Sequence, residues 1–221
     1  MEKALFLGNE AVARGAWEAG VKVCSSYPGT PSTEITETVS KYPEINSEWA
    51  TNEKVAMEVA YGAAVGGARA MTCMKHVGLN VAADPLFTAA YTGVNAGLVA
   101  VVADDPFMFS SQNEQDTRLY ARSAHVPLLE PADAQECRDF MKLAFALSEE
   151  YDTPVLLRLT TRIAHARSLV TLGERAERAI LPYKKDMRKY VMMPAMARGR
   201  RLIVEEREKK LVVNCNKMEI N

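Results

Sequence analysis

One stretch of this chain, GLVAVVA at residues 97–103, has no polar face. A strand of that kind must be covered on both sides, as in a parallel sheet with helices packed on each face. The rest of the chain keeps the same rhythm. Strand-like segments at 21–26, 45–49, 68–74, 126–130 and 154–159 alternate with helical patterns at 9–19, 32–41, 52–65, 79–92, 114–121 and 132–150. Gly20 stops the first helix, and Pro31 suits the first turn of the one at 32–41. Six strands separated by helices predict an α/β fold: a doubly wound, mostly parallel six-stranded sheet with helices on both faces.

The rhythm fades after Thr161. Residues 1–170 carry 14 Lys/Arg against 21 Asp/Glu, a net of −7, whereas residues 171–221 carry 13 against 7, a net of +6. This break predicts a domain over 1–168 and a basic, partly helical extension over 169–221. In that extension the cations interleave with acids (GRRLIVEEREKK), the pattern of a solvated helix or a subunit contact rather than a nucleic-acid arm. The last residues, VVNCNKMEIN, have no closing element and read as a cut within a longer protein.

Bulk properties exclude several classes. A formal net charge of −1 gives no general attraction to nucleic acid. No run of 18 apolar residues is present, so no membrane span is expected. Cys24, Cys73, Cys137 and Cys215 lack CxxC spacing and read as reduced thiols of a cytoplasmic protein, with Cys24 and Cys73 in the core. The three histidines, His76, His125 and His165, are too scattered for a histidine metal site.

In a parallel sheet, ligands gather outside the carboxyl ends of the strands. The segments there are polar: SSYPGTPS after the first strand, TNE after the second and KHVGLN after the third. The fourth strand is followed by DDP and then SSQNEQD. Each has a plain reading as caps and turns, because Ser, Thr, Asn and Asp are favoured there. Glu53 could be only a helix-start acid, and His76 a loop histidine satisfied by a carbonyl. Four such segments on one sheet edge weaken the plain reading. There is no GxxxxGK[ST], no GxGxxG and no GDG-type signature, so nothing in the chain predicts a phosphate cradle.

Taken together, YPGTPSTEI, ATNEKVAMEVAYGAAVGGARAMTCMKHVGLN, DDPFMFSSQNEQDTR and TPVLLRLTTR closely resemble the pyrimidine-binding domain of the 2-oxoacid:ferredoxin oxidoreductases, and within that family the indolepyruvate type. The resemblance covers about residues 4–168. It implies thiamine diphosphate as cofactor and Glu53 as the catalytic glutamate that hydrogen-bonds N1′ of its pyrimidine ring. That bond favours the imino tautomer, which takes the proton from thiazolium C2 before attack on the 2-oxoacid and loss of CO₂. It further implies that Thr30, Pro28 and Asn80 border the cofactor. Thr30, Lys75, His76, Gln112 and Arg118 would lie near the substrate.

The departures are informative. Pyruvate-using relatives are expected to bring an arginine to the substrate carboxylate after the fourth strand. Here Asp104 and Asp105 stand there, which favours a larger arylpyruvate. The family's diphosphate-binding domain with its Mg²⁺ motif, and its cysteine-rich iron–sulfur domain, have no counterpart in these 221 residues. Implied partners are therefore those domains or subunits, a smaller β subunit, ferredoxin and CoA, in an oligomer. By itself the chain is expected to be inactive. A subunit of a two-chain thiamine-diphosphate decarboxylase and a non-catalytic scaffold domain are the competing functions.

Overall fold

The computed structural model describes residues 2–220. The first half contains β1 (Lys3–Leu7), α1 (Gly8–Glu18), β2 (Val23–Ser26), α2 (Thr33–Val39), β3 (Asn46–Trp49), α3 (Glu53–Val65) and β4 (Ala70–Lys75). There follow α4 (His76–Val81), α5 (Ala83–Thr92), β5 (Leu98–Asp104), α6 (Thr117–Ala124), β6 (Leu128–Leu129) and α7 (Ala134–Tyr151). The chain finishes with β7 (Val155–Thr160), α8 (Thr161–His165), β8 (Arg167–Thr171), α9 (Met187–Tyr190) and α10 (Pro194–Cys215).

Six strands form one parallel sheet in the order β3-β2-β4-β5-β7-β6. The apolar run becomes β5, near the middle, and all seven of its residues are buried. Its pleat sends Val99, Val101 and Ala103 into a core with α1 and α7, where Ala16, Met141 and Phe145 lie. Leu98, Ala100 and Val102 enter the opposite core with α3 and α5, among Met57, Ala60 and Leu86. That two-sided burial is the reason the strand needs no polar face. Cys24 and Cys73 are both buried in the first of these cores.

Several elements depart from the sequence expectations. β1 and β8 make a separate antiparallel pair, with Leu5 opposite Leu169. β8 straddles the expected boundary at 168 and ties the following segment to the start of the chain. The helix expected over 79–92 is two helices broken at Ala82, whose φ/ψ of −87°/4° interrupts the run. α6 begins at Thr117 instead of 114 because the Asp116 side chain caps it, accepting from Arg118 N at 3.0 Å. α2 begins after Ser32, so Pro31 precedes the helix.

The basic segment packs down onto the body. α10 buries Arg200, Val204, Arg207 and Leu211, residues spaced to share one helix face. Arg200 donates to Tyr91 O at 2.6 Å and Thr92 O at 3.1 Å. Arg207 donates to Ala90 O at 2.8 Å and Asp152 O at 2.9 Å. These carbonyls belong to the C-terminal ends of α5 and α7, which carry partial negative charge and lack intrahelical partners. Asp152 is further paired with Lys189 at 2.8 Å. Burial lowers the Arg207 guanidinium to about 10, so it stays charged at neutral pH. Arg207→Met is expected to destabilise the protein by about 1.5–3 kcal/mol, the range for bonds to a charged group, read as a lower urea midpoint. Among the described residues, no helix is long and apolar enough to cross a membrane.

Candidate functional site

The site begins where β3 turns into α3. Asn52 caps the helix by accepting from Val55 N at 3.0 Å, which fixes Glu53 as its first residue. There the backbone dipole favours an acid. Glu53 is half-buried, and among the described residues nothing donates a hydrogen bond or ion pair to its carboxylate. Its neighbour is the backbone of α4. A Cβ placed on Gly78 would meet Glu53 Oε1 at 2.6 Å and Cγ at 2.7 Å. Only glycine leaves room for the acid in this position.

The adjacent residues of β4 and α4 extend the site towards two loops. The Lys75 stem lies over Gly29, whose added Cβ would meet Lys75 Cδ at 3.1 Å. This brings the YPGT loop, with Pro28 and Thr30 exposed, against β4. Lys75 Nζ donates to Ser110 O at 2.7 Å. His76 is 1% exposed, and its Nε2 lies 2.9 Å from Asn113 O, while Nδ1 is buried without a partner among the described residues. Gln112, exposed, sits on the same loop between these two tethers.

Other candidates turn aside. The Asn80 Oδ1 accepts from the Tyr120 hydroxyl on α6. Arg118 is exposed and pairs with Glu130 at 3.0 Å and Asp116 at 3.6 Å. The structure therefore groups Glu53, Lys75, His76, the Thr30 loop and the Gln112 loop, and directs the Asn80 and Arg118 side chains towards neighbours on and beside α6.

Asp104 and Asp105, which stand where pyruvate-using relatives are expected to bring an arginine, are both buried with protein partners. Asp104 Oδ2 accepts from Arg158 Nε at 2.7 Å and from Thr117 N at 3.1 Å, and Oδ1 accepts from the Thr117 hydroxyl. Arg158 also reaches Glu130. Asp105 accepts from Ser110 N at 2.8 Å, Ser111 Oγ at 2.7 Å and Thr161 Oγ1 at 2.7 Å. Burial alone would raise the Asp105 carboxyl, but these donors hold it below its ordinary value. Both acids organise the loop from inside. Neither Gly78 nor Arg158 stands out in the sequence as a site residue. Gly78 lies within KHVGLN, but its role depends on a contact with a helix that starts 25 positions earlier.

What this arrangement can do chemically is limited and specific. It offers, among the described residues, one unpaired carboxylate at a helix start, resting against a glycine that gives it room, with a tethered polar loop beside it. Among the described residues, no three His, Cys, Asp or Glu side chains cluster as a metal site requires.

The sequence matches the family described as pyruvate flavodoxin/ferredoxin oxidoreductase, thiamine-diphosphate-binding, over residues 14–210. It is 52% identical to the indolepyruvate oxidoreductase subunit IorA of Methanothermobacter marburgensis, an alignment covering 100% of this chain and 36% of that protein. The 2-oxoglutarate synthase subunit KorA of the same organism is 29% identical, over 92% of this chain and 60% of its own length. Among solved structures, the 2-oxoglutarate:ferredoxin oxidoreductase from Magnetococcus marinus superposes with a TM-score of 0.78 at 18% identity, covering 95% of this chain and 45% of that one. That likeness speaks to the fold. The chain spans about a third of the length of its indolepyruvate relatives.

Proposed function

This chain belongs to the pyruvate flavodoxin/ferredoxin oxidoreductase thiamine-diphosphate-binding family, and on that premise we propose that it supplies the pyrimidine-side acid of an aryl 2-oxoacid oxidoreductase. The observation that carries the reading is the carboxylate of Glu53, half-buried, unpaired, and facing a glycine whose missing Cβ leaves it space. The names of relatives at about half identity support aryl selectivity, of the indolepyruvate kind.

In this reading Glu53 holds the pyrimidine N1′ edge and a proton there. Thr30 and Pro28 border the ring, and Asn80 stands behind them, its side chain held by Tyr120. Lys75, His76 and Gln112 lie on the substrate side, with Arg118 at its margin. When bound, thiamine diphosphate supplies the electron sink for decarboxylation. The diphosphate and its Mg²⁺ are assigned to another domain or subunit. An iron–sulfur domain, a smaller β subunit, ferredoxin and CoA complete the enzyme, in the cytoplasm. Reconstitution with those parts tests the assignment. Indolepyruvate- and CoA-dependent reduction of a viologen is the expected result, and aldehyde release without an acceptor, or no turnover, would contradict it.

The glycine gives a second prediction. Gly78→Ala pushes a Cβ to within 2.6 Å of Glu53 Oε1. The acid must move, and a displacement near 1 Å costs about 10²-fold in turnover. The thermal midpoint should change far less than the rate. A Gly78→Ala enzyme with wild-type kcat would show that the Glu53 position does not matter.

A further inference from the structure

The loop between β5 and α6 presents bulky apolar side chains to solvent. Phe107, Met108 and Phe109 are 84%, 48% and 77% exposed. Phe107 and Met108 have φ of 67° and 53°, a left-handed backbone that residues of this size rarely adopt. Folding gains nothing from either feature. The conformation persists because it is fastened from below, through Asp105 to Ser110, Ser111 and Thr161, and through Glu114, whose carboxylate accepts from Phe107 N at 3.0 Å. It is also fastened to the candidate site, by Lys75 to Ser110 O and by His76 to Asn113 O. Two residues beyond His76 stands Gly78, against Glu53.

Resting on the aryl 2-oxoacid reading above, we propose that Phe107 and Phe109 receive the aromatic side chain of the substrate and set the preference for aryl over short aliphatic 2-oxoacids. Two exposed rings on a pre-set backbone can stack on a third ring with little ordering cost. A three-residue tip is small beside the roughly 1,200–2,000 Å² that a specific protein interface buries. It suits one ring.

The test uses the assembled enzyme and two probes, phenylpyruvate and 2-oxobutyrate. In the Phe107→Ala/Phe109→Ala enzyme, the ratio of kcat/KM for phenylpyruvate to that for 2-oxobutyrate should fall about tenfold, the scale of one lost aromatic contact. An unchanged ratio, including a parallel loss with both acids, overturns the proposal and assigns the tip to a partner surface. Chymotrypsin gives an independent reading, because it cleaves after exposed phenylalanines. Phenylpyruvate should slow cleavage at Phe107 and Phe109 more than 2-oxobutyrate at equal concentration, and equal rates would overturn the proposal. A wild-type enzyme that turns over neither acid defeats the functional reading itself, and the proposal with it.

Discussion

Glu53→Gln is expected to lower turnover of the assembled enzyme by about 10²–10⁴-fold, the range for losing one positioned acid–base group. Glutamine keeps the length and shape of the side chain but cannot take up a proton. The fold should survive, because Glu53 has no hydrogen bond or ion pair among the described residues to lose. Its helix-start charge is worth only about 0.3–1 kcal/mol. Rate and thermal midpoint therefore separate in this variant. Unchanged turnover would remove the cofactor assignment, and a collapse of the thermal midpoint would make Glu53 a structural acid instead.

Arg158→Met should have the largest effect on stability. Asp104 is 0% exposed and Arg158 5%, and the two meet at 2.7 Å. Removing one partner of a buried pair leaves an uncompensated charge, which costs about 3–5 kcal/mol. Thr117 still donates to Asp104, but a hydroxyl and an amide do not neutralise a carboxylate. Adding Asp104→Asn to the same protein should recover part of the loss, because a neutral amide is cheaper to bury. Urea midpoints of the single and double variants measure both steps. A loss below about 1 kcal/mol in the single variant would place the pair in the class of solvent-screened ion pairs.

Elements with a local signal were legible in the sequence. The run at 97–103 announced a strand covered on both faces, and β5 is that strand. The six-stranded parallel sheet followed from alternation alone. What escaped were features set by partners distant in sequence. β1 and β8 pair across more than 150 residues, and the apolar run at residues 4–7 carries no mark of a partner at Arg167–Thr171. The break at Ala82 is hidden because apolar spacing continues through it. Arg200 and Arg207 look like solvated charges because their partners are backbone carbonyls, which leave no mark on composition.

The site divides in the same way. Polar segments after each strand could be placed on one sheet edge from the pattern. The contact between Glu53 and Gly78, and the tethers from Lys75 and His76 to the Gln112 loop, required coordinates. Asp104 and Asp105 show the cost of reading charge without burial. They stand where pyruvate-using relatives are expected to bring an arginine, yet Arg158, Thr117, Ser110, Ser111 and Thr161 occupy their oxygens.

On the proposed reading, Glu53 acts on the pyrimidine ring and through it on a proton of the cofactor. Hydrogen–deuterium exchange at C2 of thiamine diphosphate, followed by NMR in the assembled enzyme without substrate, tests this most directly. Fast exchange is expected in the wild-type enzyme, and exchange slowed by about 10²-fold or more in Glu53→Gln, the scale of one positioned acid–base group. Equal exchange rates in the two proteins, with cofactor bound in both, would contradict it.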